Sequence, residues 1–169
     1  DLGTVEAFYK ANMDLTGSDP HFDFYDMTAP IYTRARFLPS TRVEHCEIRD
    51  SIISEGSILR GARIINSVLG IRSQVGEDVS LERVMMMGAD FYEDEEDAQY
   101  NRQLGIPGIG IGKGSVVLKA IIDKNAHIGE NVRILNEERI QNFDGLGYYI
   151  RDGIVIVPKN GVIPSGTIV

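Results

Sequence analysis

The chain has 169 residues, 43% of them hydrophobic and 25% charged, length for one full domain with a buried core and part of a second unit. A formal charge of -8 argues against general binding to nucleic acid or anionic lipid, but leaves room for a local basic cluster around a small anion. No apolar run reaches the ~20 residues of a membrane span, the start resembles no signal peptide, and a lone cysteine, Cys46, excludes an intramolecular disulfide. No Cys/His spacing suggests zinc, so a cytoplasmic protein is the default expectation. The chain opens on Asp1, already inside a structured-looking segment, and is therefore expected to be a piece of a longer polypeptide.

Residues 1–16, DLGTVEAFYKANMDLT, predict a loop and a short helix, with Thr4 as cap and Val5, Phe8 and Tyr9 on one face. Gly17 ends it. Residues 17–42 carry three prolines (Pro20, Pro30, Pro39) and five aromatics (Phe22, Phe24, Tyr25, Tyr32, Phe37), and are expected to form an ordered linker that packs rather than a flexible tether.

From Val43 branched apolar residues recur every six positions. Ile52, Ile58 and Ile64 share one phase; Leu69, Val75, Leu81 and Met87 share the next, after a slip beside Asn66. The rhythm is clearest in GIGIGKGSVVLKAIIDKNAHIGENVRIL, where Val116, Ile122, Ile128 and Ile134 form a ladder with Ala120, Ala126 and Val132 between its rungs. It returns as Ile150, Ile156, Val162 and Ile168. A strand has period two and a helix 3.6, so a strict six implies hexapeptide coils of a parallel β-helix, three hexapeptides to a coil. Residues 43–169 are thus one β-helix interrupted at 89–107 and 136–147. The acidic run Glu93–Asp97 in the first interruption predicts a solvated loop or short helix rather than a metal site, because consecutive carboxylates cannot all face one ion. Parallel crossovers are nearly always right-handed; the left-handed sense expected here comes from resemblance to hexapeptide-repeat proteins.

Candidate chemistry is sparse. GIGIGKGS fails as a phosphate loop, since Pro107 stands where Walker A needs glycine and Gly114 where it needs Ser or Thr; coil corners account for these glycines. His127 is the residue a hexapeptide acyltransferase would use as general base, but no partner is visible near it. Cys46 predicts a packed small residue. Lys124, beside Asp123 at a turn between two rungs, Lys159 in VPKNG, and Arg34 and Arg36 in the linker are the cations that could converge on an anion.

The stretches DLGTVEAFYKAN, FYDMTAPIYT, RFLPS, DSIISEG, SVLGIRS, MMMGADFYE, GIGIGKGS, AIIDKNAHIGENV, GYYIRDGIVIVPKN and IPSGTIV, in this order, resemble the carboxy-terminal part of the glucose-1-phosphate adenylyltransferase (ADP-glucose pyrophosphorylase) family. The resemblance implies a mainly β fold, a left-handed parallel β-helix after a short helix and linker, serving regulation and assembly. It places residues 1–16 at the tail of a nucleotidyltransferase domain that makes ADP-glucose and pyrophosphate from ATP and glucose 1-phosphate with Mg²⁺. Asp1 would belong to that domain's metal-binding motif, and no catalytic residue lies in the fragment, which alone would be inactive. It further implies homo- or heterotetramers, docking on the chain's own amino-terminal catalytic domain, and cytoplasm or plastid stroma as the location. Small anionic effectors, 3-phosphoglycerate and phosphate, would meet Lys124, Lys159, Asp123 and Arg36. Many relatives have Gln-Pro where this chain has Arg34-Ala35, which adds a cation, Arg34, to the effector-binding set. An acyltransferase using His127 and a purely structural oligomerisation module are the alternatives.

Overall fold

A computed structural model describes residues 3–169. From Arg42 on, short strands pair in parallel with strands one coil away. Following the register, Ile48 lies on Ile64 and Ile64 on Leu81, so successive coils are 16 and 17 residues long. Three inward columns result. One stacks Leu59, Val75, Ile111, Ile128 and Ile163; a second stacks Ile64, Leu81, Val117 and Ile134; a third stacks Leu69, Met86, Ile122 and Val157. All of these side chains are buried, and they form one apolar core. Ser57, Ser67, Ser73 and Ser115 are fully buried among them, each bonded to backbone, as in the Ser115 hydroxyl that donates to the Gly129 carbonyl at 3.0 Å.

The strict six is corrected by these columns. The inward residues are Leu59, Met86, Val117, Val157 and Ile163, not their neighbours Ile58, Met87, Val116, Ile156 and Val162, which are only half-buried. Ile53, not Ile52, packs against the core, and Val169 does so while Ile168 is exposed. The physical reason is that sides of five and six residues mix. The five-residue sides include those that turn at Asp50, Gly61, Asn66, Arg83 and Lys119, all at positive φ between 46° and 54°, and this tighter turn advances the phase by one residue. Rungs at Ile64, Leu69, Val75, Leu81, Ile122, Ile128 and Ile134 fall where the sequence put them.

Both interruptions leave the prism at corners. The first carries helix α2 (Glu95–Gln103), with Asp94 as cap in a reciprocal capping box with Asp97, so the acidic run serves the positive end of a helix. The second forms an antiparallel hairpin, Asn142–Asp144 with Tyr149–Arg151, whose second strand pairs antiparallel with Ile154–Val157. Ile150 is therefore buried in the hairpin rather than as a coil rung.

Helix α1 (Val5–Asp14) begins at Thr4, whose hydroxyl accepts from the Ala7 N–H. Its Val5, Phe8 and Tyr9 face packs against Ile121, Ile154, Met85 and Met87 on the outside of the prism. The Tyr9 hydroxyl donates to the Arg83 carbonyl at 2.6 Å, and burial pushes it up to about 12. The linker corrects the expectation of packing: Tyr32 is 92% and Phe37 97% exposed. Between its prolines, Phe22 and Phe24 meet edge to face at 5.2 Å and stay half-exposed. Among the described residues no helix is long and apolar enough to cross a membrane.

The phase of the core is open to a direct test by urea unfolding. Leu59→Ala should lose about 2–5 kcal/mol, whereas Ile58→Ala, one residue away and half-buried, should lose under about 1.5 kcal/mol. Equal losses would mean that the inward column has been misplaced.

Candidate anion site at a coil corner

One column of corners runs through Gly56, Arg72, Asn125 and Asn160, all with positive φ. Ile122 pairs with Val157, so Lys124 and Lys159 stand one above the other just before these corners. Their ammonium groups converge on a single carboxylate: Lys124 donates to Asp90 Oδ1 at 3.1 Å and Lys159 reaches Oδ2 at 2.9 Å. Asn125, buried to 5% exposure, is the hub below. Its amide nitrogen donates to Asp90 Oδ2 and to Asn160 Oδ1, each at 3.2 Å, while its Oδ1 accepts the Asp90 N–H at 2.8 Å. Lysine hydrogen bonds, that of Lys159 first, then that of Lys124, hold the Asp90 carboxyl well below the usual carboxylate range, against the opposing effect of its partial burial.

Asp90 reaches this place because the chain leaves the coil at Gly88. Glycine is required there: φ is +84°, and a Cβ would lie 2.0 Å from the Ile71 carbonyl oxygen. The Gly88 carbonyl accepts the Asn125 N–H at 3.1 Å. Beside it, Arg72 donates to the Ala89 carbonyl at 3.3 Å and lies over the Tyr92 ring at 5.7 Å. Tyr92 in turn donates to the Gly56 carbonyl at 2.7 Å.

A cavity of about 460 Å³ opens above the cluster, lined by Arg34, Ala35, Arg36, Ile71, Arg72, Asp90 and Lys124. The linker arginines thus face the same space as Lys124, and Arg36 donates to the Arg34 carbonyl at 3.2 Å. Lys124 and Lys159 hold the carboxylate and Arg34, Arg36 and Arg72 line the cavity beside it, a charge balance suited to a small polyanion. Asp123 Oδ1 accepts the N–H of Lys124 at 2.6 Å, which fixes the turn that carries that lysine.

Sequence reasoning missed Asp90, Asn125 and Arg72. The signal for Asp90 was the coil register itself, for Met86 pairs with Ile122, which carries Asp90 to the corner after Ile122 despite the long excursion between. Asp1, the expected metal ligand, lies outside the described residues. Among the described residues no group of three His, Cys, Asp or Glu side chains could hold a metal ion. His127 ties the returning excursion to the coil, its Nδ1 2.7 Å from the Pro107 carbonyl oxygen. Glu93 does the same from the other side, accepting the Ile109 N–H at 2.7 Å. In the glycine stretch, Gly114 is a corner at φ +71°, and a Cβ on Gly112 would meet the Gly129 backbone at 2.6 Å. Cys46 is half-buried against the core, as expected.

The fold and this corner define a class: a parallel β-helix carrying a cationic cradle on its outer surface. The GLGC left-handed parallel β-helix domain matches residues 36–168, and the chain belongs to that family, with the left-handed coil it specifies. The chain is also 45% identical over 172 residues to the wheat (Triticum aestivum) chloroplastic/amyloplastic glucose-1-phosphate adenylyltransferase small subunit, a match that covers all of this chain and 36% of that relative. It therefore spans about a third of the length of the relative it matches.

Because the folded-state pKa of Asp90 is lowered, its carboxylate contributes stability that is fully present above the unfolded value of about 3.9 and lost as pH falls below it. Thermal unfolding should show wild type more stable than Asp90→Asn by a constant margin between about pH 5 and 7, with the margin shrinking below about pH 4. A margin that persists unchanged into acid would deny the ion pairs.

Proposed function

We propose that this chain is the regulatory and assembly β-helix of an ADP-glucose pyrophosphorylase, whose full-length form makes ADP-glucose and pyrophosphate from ATP and glucose 1-phosphate for glycogen or starch synthesis. The observation that carries the regulatory part is the convergence of Lys124 and Lys159 on one carboxylate beside a cavity that Arg34 and Arg36 also line. Such a cradle suits phosphate and 3-phosphoglycerate, each bound by several charge-assisted hydrogen bonds worth about 1.5–3 kcal/mol apiece. Arg34 supplies an additional cation toward the effector's second charged end.

The exposed linker aromatics Tyr25, Tyr32 and Phe37 and the arginines between them are the surface on which the catalytic domain docks. An effector held between that domain and the β-helix shifts activity by binding the active arrangement better than the resting one. Mg²⁺ belongs to the chemistry of the catalytic domain, where it draws charge from the phosphates, and this chain alone has no turnover. The open coil end, with Val43 half-exposed, is the face for assembly into a homo- or heterotetramer. The name of the wheat relative favours the plastid stroma over the cytoplasm as its location.

The decisive experiment measures ADP-glucose synthesis by the full-length polypeptide with and without 3-phosphoglycerate. Lys124→Ala and Lys159→Ala should each raise the concentration for half-activation by about tenfold or more, the loss of one charge-assisted hydrogen bond. Unchanged activation in both variants would leave only a structural module. Acyl transfer from acyl-coenzyme A that disappears in His127→Ala would instead favour the acyltransferase.

A further inference from the structure

The carboxylate that holds the two lysines occupies the place an effector would need. We propose that Asp90 is a built-in counter-anion, displaced from Lys124 and Lys159 when a phosphate group, free or as an ester, binds this corner. The proposal rests on the anion-site reading given above and adds a residue that sets both the affinity and the selectivity of that site.

Geometry carries it. Asp90 presents one oxygen to each ammonium group and a third contact to the Asn125 amide, which is the pattern a phosphate would reproduce with its own oxygens. The two lysine side chains and Asp90 are 37%, 53% and 39% exposed, so exchange requires no opening of the core, and ion pairs at such exposure are individually weak. The backbone cannot yield: the Asp90 N–H is fixed by Asn125 Oδ1, the Ala89 N–H by the Ile71 carbonyl, and Tyr92 by the Gly56 carbonyl. The Asp90 side chain can turn about its own bonds while its backbone stays in place, and Arg72 and Arg36 line the same cavity to receive it.

A monoanion gains little by replacing one carboxylate with another. A dianion gains a full charge against two ammonium groups and up to three guanidinium groups, so the tethered carboxylate filters for phosphate-like ligands. Removing its charge should tighten binding and relax that filter together.

Calorimetric titration of the full-length polypeptide with inorganic phosphate, 3-phosphoglycerate and acetate tests this. Asp90→Asn keeps the contacts of the backbone to Asn125 and should bind phosphate about tenfold more tightly than wild type, the order expected when two part-exposed ion pairs no longer have to be broken. Acetate should bind the variant measurably and wild type not at all. Equal or weaker phosphate binding by Asp90→Asn, with wild type binding and Lys124→Ala weakened, overturns the counter-anion and keeps the anion site. Absence of phosphate binding in both wild type and Asp90→Asn overturns the anion site as well. Should Asp90→Asn fail to fold, carbon-13 spectra of wild type decide: saturating phosphate should move the Asp90 carboxyl signal, and an unmoved carboxyl beside shifted Lys124 and Lys159 signals would overturn the exchange. Comparable affinity of 3-phosphoglycerate and phosphate would identify the phosphate group as the recognised part.

Discussion

Left-handed corners set the position of everything on the outside of this prism. Each non-glycine residue there carries an intrinsic cost of about 1–2 kcal/mol, least for Asn and Asp, whose side chains bond locally. Asn125, Asn131 and Asn160 occupy such corners, and their N–H groups donate to carbonyls of Gly88, Lys113 and Lys124 on neighbouring coils. Those inter-coil bonds offset the cost and lock the corners into columns. Parallel strands lie about 4.8 Å apart, so a column of corners also aligns the residues that precede them. Lys124 and Lys159 are forced into neighbouring positions by this geometry, and two ammonium groups that close repel unless an anion lies between them. Asp90 is that anion. The cluster follows from the coil as a charge problem with a local answer.

The same corners explain what could be read from the residues and what could not. Hexapeptide rhythm is visible wherever one apolar residue stands alone, as at Val75, Leu81 and Ile128. It becomes ambiguous at apolar doublets: Ile58-Leu59, Val116-Val117, Met86-Met87 and Ile156-Val157 satisfy either phase. The tie is broken by whether the flanking sides have five residues or six, which depends on the turn adopted at residues such as Lys119, φ 51°. Lysine and arginine carry no sequence signal for that conformation, unlike Asn66, whose slip was legible. The linker failed for another reason. Its aromatics looked like packing residues, yet packing requires a second surface, and the prism offers none beneath Tyr32 or Phe37.

The site divides in the same way. Lys124, Lys159, Arg34 and Arg36 were singled out as cations, but convergence is a three-dimensional property, and only the family resemblance raised them above ordinary surface charges. Arg72 sits in a coil corner and reads as solvated. Asp90 lies 34 residues before Lys124, past a helix and a returning loop, where an acidic residue beside a strongly acidic stretch carries no distinction. Its role emerges once register is known, because Met86 and Ile122 are then neighbours and the excursion between them becomes a side loop.

That side loop is held at both ends by groups whose sequence appearance suggested other work. At its start, Gly88 allows a backbone approach to the Ile71 carbonyl that any side chain would block. At its return, His127 grips the Pro107 carbonyl oxygen and Glu93 the Ile109 N–H. A histidine that resembled a general base and an acidic residue that opened a run of five both serve to pin backbone. The consequence is mechanical: with the loop fixed to the prism at each end, Asp90 projects from a rigid frame, and its carboxylate can exchange with a ligand without carrying helix α2 along. Charge at the corner can therefore change while the coil that supports it stays as it is.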